Sequence, residues 1–120
     1  MLFLDTFYDM VGGDLKEVRG RLMKDERIRK YLRMFPKDPS FEAFQPAFDA
    51  GDYMVAFRCA HTLKGLCANL GLGDLQRSST EVCEALRPGV KPEKDITNLI
   101  IEMDKDYEVA LEAINALDAQ

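Results

Sequence analysis

The sequence predicts an all-α protein, an antiparallel four-helix bundle with additional N-terminal helices. Three observations lead there. Apolar residues recur at three- and four-residue spacing in one segment after another. Glycine or proline punctuates the gaps between those segments, often with an aspartate where the next begins. No stretch shows the two-residue alternation of a convincing strand, and no internal repeat is present.

The first segment, about 2–11, sets Phe3, Phe7, Met10 and Val11 at helical spacing and ends at Gly12 and Gly13. Asp14 reads as an N-cap, with Glu17 completing a capping-box-like pair. Leu15, Val18 and Leu22 form the stripe that follows. Asp25 either opens another helical turn or sits inside a longer helix. Ile28, Leu32 and Phe35 continue an apolar face until Pro36 and Pro39 close it. Asp38 can cap a new helix with Pro39 at its first position. Phe41, Phe44 and Phe48 then recur at helical spacing, and Pro46 among them predicts a kink or two short pieces. Gly51 ends this segment and Asp52 caps the next. The connection is so short that the two helices should be antiparallel neighbours.

The helix over 52–70 is predicted to end at Gly71, with Leu72 tucking back behind the cap. Gly73 and Asp74 open the following helix, whose core face holds Leu72, Leu75, Val82 and Leu86. Ser79 and Cys83 lie near that face and are small enough for a close helix approach. Pro88 and Gly89 break it. After Pro92 the last helix runs to about Leu117 on a stripe of Ile96, Leu99, Ile100, Met103, Tyr107, Ala110, Leu111, Ile114 and Leu117. The expected organisation is one domain over 1–120, with an N-terminal helical extension at 1–37 and a four-helix bundle at 38–120.

The helix over 52–70 organises the rest. A step of about 100° per residue puts Met54, Phe57, Arg58, His61, Lys64, Gly65 and Ala68 on one face, opposite a core stripe of Ala56, Cys59, Leu63, Leu66 and Leu70. His61 is the only histidine in the chain. Histidine is nucleophilic near neutrality. A phosphoryl group placed on it would bring about two negative charges, which Lys64 one turn on can meet. Gly65 costs the helix roughly 1 kcal/mol against alanine, and its missing side chain leaves room beside the imidazole. Met54, Phe57, Arg58 and Ala68 are candidate partner-docking residues around it. Phe57 has two readings, a partner contact or a contact under the N-terminal segment. Arg58 is open between attracting an acidic partner and ordinary surface charge.

The stretch AHTLKGLCANLGL resembles the signature of histidine-containing phosphotransfer domains: His-x-x-Lys-Gly, a short run, then apolar-Gly-apolar. His61, Lys64, Gly65, Leu70, Gly71 and Leu72 fill those positions. The resemblance implies an antiparallel four-helix bundle. It implies a phosphoryl group carried on His61 to and from aspartates of response-regulator receiver domains, with a hybrid histidine kinase as a further partner and the receiver supplying magnesium. Family members often place a glutamine or another hydrogen-bonding side chain on the following helix, facing the histidine. Here that region offers Ser79, Cys83 and Gln76.

A net charge of -5 disfavours nucleic acid as a general partner. No segment has the apolar length to cross a membrane. The start, MLFLDTFYDM, has acids where a secretory signal needs early positive charge, so a cytoplasmic chain is expected. Cys59, Cys67 and Cys83 are odd in number and lack C-x-x-C spacing, which argues for reduced thiols and no metal site. No glycine-rich phosphate loop or kinase signature is present. The expected role is therefore that of a carrier without autokinase activity or cofactor. Seven basic residues against two acidic ones lie between positions 19 and 33. A solvated face is the preferred reading, an acidic or phosphorylated partner the other. Three rival functions remain: a non-phosphorylated helical module that docks a receiver or kinase, an adaptor that binds through the basic strip, and, more distantly, a histidine-dependent hydrolase, which would need acids on the His61 face where none lies.

Overall fold

The computed structural model describes residues 2–87 and 89–117. Among them the chain forms seven α-helices and one 3-10 turn. In order these are α1 (Leu4–Met10), α2 (Leu15–Leu22), α3 (Asp25–Met34), the turn Phe35–Lys37, α4 (Ser40–Asp49), α5 (Tyr53–Leu70), α6 (Gly73–Ala85) and α7 (Thr97–Asn115). Helices α4 to α7 form the bundle, each packed along the next; α1 lies on α7, while α2 and α3 lean on α5. The connections at 50–52 and 71–72 are so short that α4, α5 and α6 run antiparallel in turn. No helix among the described residues is long and apolar enough to cross a membrane.

Aspartates lie at the helix starts, though α4 begins at Ser40 with Pro39 as its N-cap, one position later than the sequence indicates. Asp14 accepts from the Lys16 amide at 3.0 Å, Asp38 from Ser40 at 2.9 Å and Asp52 from Val55 at 3.3 Å. Glu17 does not complete the expected capping pair; it accepts from Arg21 at 2.8 Å, one turn along α2. Asp25 opens a separate helix because Met23 adopts φ +70° and breaks the chain direction there. Pro46 sits within one continuous helix rather than between two pieces. It and Glu42 are both exposed, so the carbonyl left without a helical donor faces water. Pro88, expected to break the helix after α6, lies outside the described residues. The last helix stops at Asn115, and Leu117 instead pairs with Leu2, whose amide donates to the Ala116 carbonyl at 2.6 Å.

Two apolar faces are turned relative to expectation. In α1 the core side is Leu4, Phe7 and Tyr8, continued by Val11, while Phe3 and Met10 are exposed. Tyr8 can be buried because its hydroxyl donates to the Leu70 carbonyl at 2.7 Å. In α5 the buried stripe is Ala56, Ala60, Leu63, Cys67 and Leu70, with Cys59 and Leu66 only half-buried. Small residues occupy its centre because α5 is hemmed by α4, α6, α2 and α3.

Where the N-terminal helices meet the bundle, two turns touch through glycine. The Asp74 amide donates to the Val11 carbonyl at 3.0 Å. A Cβ on Gly13 would collide with the Gly71 carbonyl oxygen, and one on Gly73 with the Gly12 carbonyl oxygen. Gly71 itself has φ +73°. We expect Gly13→Ala to lower stability by about 1–3 kcal/mol, because backbone must move to accept the methyl group. Gly20→Ala in α2, with nothing within 4 Å of the new carbon, should raise it by about 0.5–1 kcal/mol. Urea unfolding of the two variants measures both; a harmless Gly13→Ala would mean the turns are not in contact.

Candidate functional site

The buried stripe of α5 fixes what faces outward. His61 lies about 140° around the helix from Ala56 and is exposed, while Phe57, Lys64 and Ala68 are half-buried at the edges of the outer face. Gly65 is exposed, and a Cβ there would meet nothing within 4 Å. The gap expected beside the imidazole is thus present.

Helix α6 supplies the other wall. Because α5 and α6 are joined across 71–72, residues equidistant from Leu72 face one another. His61 meets Cys83, with Nδ1 and Sγ 4.0 Å apart. Phe57 meets Arg87, whose guanidinium carbon lies 5.4 Å from the ring centroid. Phe57 also stacks on His61, centroids 6.0 Å apart and planes 26° from parallel. Phe57 therefore packs inside the site rather than under the N-terminal helices. Met54 reaches the loop after α6, where a Cβ on Gly89 would come within 2.6 Å of its terminal methyl group.

Of the three groups that could face the ring, only Cys83 does so among the described residues. The Ser79 hydroxyl donates to Leu75 O at 2.6 Å and is committed to its own helix. Gln76 lies a turn earlier, and its carbonyl accepts from Thr80 at 2.6 Å. Cys83 is fully buried. Burial pushes its thiol pKa up; the Lys64 and Arg87 charges pull it down and Glu84 pushes it up, both more weakly than burial. The thiol is thus a neutral contact for Nδ1, with two cations close by. Arg87 is held by Glu84 through bonds of 3.1 and 3.3 Å.

The structure gathers Phe57, His61, Lys64 and Gly65 into one site. Arg58 is exposed and joins no ion pair among the described residues. Ala68 sits about 10 Å along the axis from His61, where its carbonyl accepts from Arg21 at 2.9 Å. Part of the basic strip is thereby spent on closing the end of α5, since Arg21 also donates to the Asn69 carbonyl at 3.1 Å. Arg19 is likewise paired, with Asp25 at 2.8 Å. Sequence reasoning missed Glu84 and Arg87. The signal was there in the short turn, whose register places Arg87 opposite Phe57.

The profile of a family described as Hpt domain matches residues 3–120. No curated protein and no solved structure matches significantly.

Gly65 tests whether the open space is a packing requirement. With nothing near a Cβ, Gly65→Ala should stabilise the fold by about 0.5–1 kcal/mol through helix propensity alone. Urea unfolding reads this directly, and a loss of stability would show that the glycine is there for packing.

Proposed function

The chain belongs to the Hpt-domain family, and from that premise we propose that it carries a phosphoryl group on His61 between receiver-domain aspartates. Histidine phosphotransfer in phosphorelays is the general activity of that family, whose members are phosphocarrier modules that meet receiver domains and histidine kinases. The observation that supports His61 best is its geometry. It is an exposed imidazole whose Nδ1 lies 4.0 Å from the buried Cys83 thiol, flanked by a gap at Gly65.

In the proposed step Nδ1 keeps its proton toward Cys83 Sγ, leaving the Nε2 lone pair free to attack. Nε2 attacks the phosphorus of a receiver phosphoaspartate in line. The N–P bond forms as the bond to the aspartyl oxygen breaks, and the receiver regains a carboxylate. The reverse step, on a second receiver, completes the transfer. Lys64 compensates the charge brought by the phosphoryl oxygens, and Arg87 adds a second cation from α6. Gly65 clears the approach. Met54, Phe57, Arg58 and Ala68 form the surface that receives the visiting domain. On this reading residues 38–120 are the working bundle, residues 1–37 its helical extension, and one domain spans the chain. The protein acts in the cytoplasm and does not phosphorylate itself from ATP.

Incubation with a phosphorylated receiver should give wild-type protein an acid-labile label that His61→Gln lacks. Equal labelling of the two would refute the assignment. Receiver affinity that survives His61→Ala, with no label on wild type, would make the protein a binding module instead. Lys64→Ala should slow transfer or shorten phosphohistidine lifetime by about tenfold, the loss of roughly 1.4 kcal/mol of charge compensation. Gly65→Gln should fold normally yet fail to accept the label, because its side chain fills the approach; full labelling of that variant would end the clearance argument.

A further inference from the structure

On the side of the bundle formed by α4 and α7 lies a groove of about 550 Å³. Its lining comes from the 3-10 turn, α4 and α7, whereas the contacts of His61 come from α5 and α6. The floor is aromatic and aliphatic: Phe41 stacks flat on Tyr107, centroids 3.6 Å apart and planes 3° from parallel, with Leu111 beside them.

The walls are acidic. Glu42 stands on the α4 side, Asp104 and Glu108 on the α7 side. None of the three has a hydrogen bond or ion pair to another described residue. Asp104 and Glu108 are one turn apart on the same helix, an arrangement that costs a helix stability through like-charge repulsion. Burial raises the Asp104 pKa, and the Tyr107 pKa is raised first by burial and then by the Glu42 and Asp38 charges. Negative charge is therefore concentrated over an apolar floor, and none of the groove's lining residues is a cation.

We propose that this groove docks a basic amphipathic helix of a partner protein. An apolar side chain of that helix enters over Phe41, Tyr107 and Leu111. Two lysines or arginines, one turn apart on it, meet Asp104 and Glu108, whose spacing along α7 is also one turn. Glu42 closes the opposite wall. The repulsion within α7 is relieved on docking, so the carboxylates contribute to binding without first breaking a bond inside this protein. Because the groove shares no lining residue with the His61 site, the bound helix leaves that site free, and the proposal stands whether or not His61 carries phosphate.

The test uses the full chain and a synthetic helical peptide with two lysines one turn apart beside a leucine. Its controls are a scrambled peptide that separates the lysines onto different faces and free alkylammonium ion. Amide shifts on titration should centre on Phe41, Tyr107 and Leu111. Affinity should fall about tenfold or more with the scrambled peptide and in an Asp104→Asn, Glu108→Gln double variant, and be unchanged in His61→Gln. The double variant should fold about as well as wild type, since neither carboxylate bonds another described residue. No binding at millimolar peptide, equal binding of the scrambled peptide, or shifts centred on α5 and α6 would overturn the proposal. Alkylammonium binding as tight as the peptide would make the groove a small-molecule site instead. Concentration-dependent dimerisation lost in the double variant would make its occupant a second copy of this chain. Either result overturns the proposal.

Discussion

Everything at the His61 site follows from the two-residue connection between α5 and α6. A turn this short leaves no slack, so the facing residues are set by counting outward from Leu72. One residue of slip would rotate each α6 side chain by about 100° and slide it about 1.5 Å. Cys83 would then leave the imidazole and Arg87 would leave Phe57. The connection is locked from outside as well. Gly71 holds φ +73°, Leu72 is fully buried, and the Tyr8 hydroxyl bonds the Leu70 carbonyl just before the turn. The N-terminal helices, remote from His61 in sequence, therefore fix the register that builds its surroundings.

The legible part of this fold was the part governed by local rules. Aspartates at the helix starts (Asp14, Asp38 and Asp52), glycine stops at Gly51 and Gly71, and the outward face of α5 depend on a few neighbouring residues. What escaped depends on partners far along the chain. The phase of α1 turns on Tyr8, a residue with a polar tip, and its burial needs a carbonyl in α5 to receive that tip. The centre of the α5 stripe shifted to Ala60 and Cys67 because α5 is packed from several sides, so small residues took the tightest positions. The separation of α2 from α3 rests on a positive φ at Met23, a residue that gives no sign of it. Pro46 left a kink and a break equally open, and the helix runs on through it because its cost depends on whether the orphaned carbonyl reaches water.

The candidate site divides along the same line. His61, Lys64 and Gly65 are neighbours on one helix, so spacing alone placed them on one face. Cys83 could be narrowed to one of three groups but not chosen, because Ser79 is removed from contention only by its bond to its own helix. Arg87 needed the hairpin register. The seven basic residues between positions 19 and 33 divide in a way composition cannot show. Arg21 closes the carbonyl end of α5 and Arg19 pairs with Asp25.

Net charge is a poor guide to the field at the His61 surface of this protein. The chain carries -5 overall, yet Lys64 and Arg87 lie close enough to Cys83 to pull on its thiol. The groove between α4 and α7 instead carries three carboxylates, Glu42, Asp104 and Glu108, and no cation in its lining. The Glu84–Arg87 pair decides how the first of these surfaces can behave. Both side chains are about half exposed, at 54% and 51%, and exposed pairs of this kind are worth about 0–1 kcal/mol. A phosphoryl group bears more charge than one carboxylate and offers three acceptor oxygens. For the relay proposed for His61, Arg87 can thus turn from Glu84 toward the phosphoryl group at little cost. Phe57 contacts both groups, with the Arg87 guanidinium carbon 5.4 Å from its ring centroid and the imidazole centroid 6.0 Å away, which ties Arg87 to the same site. A cation locked in a buried pair would lack that freedom, because breaking such a pair leaves an uncompensated charge.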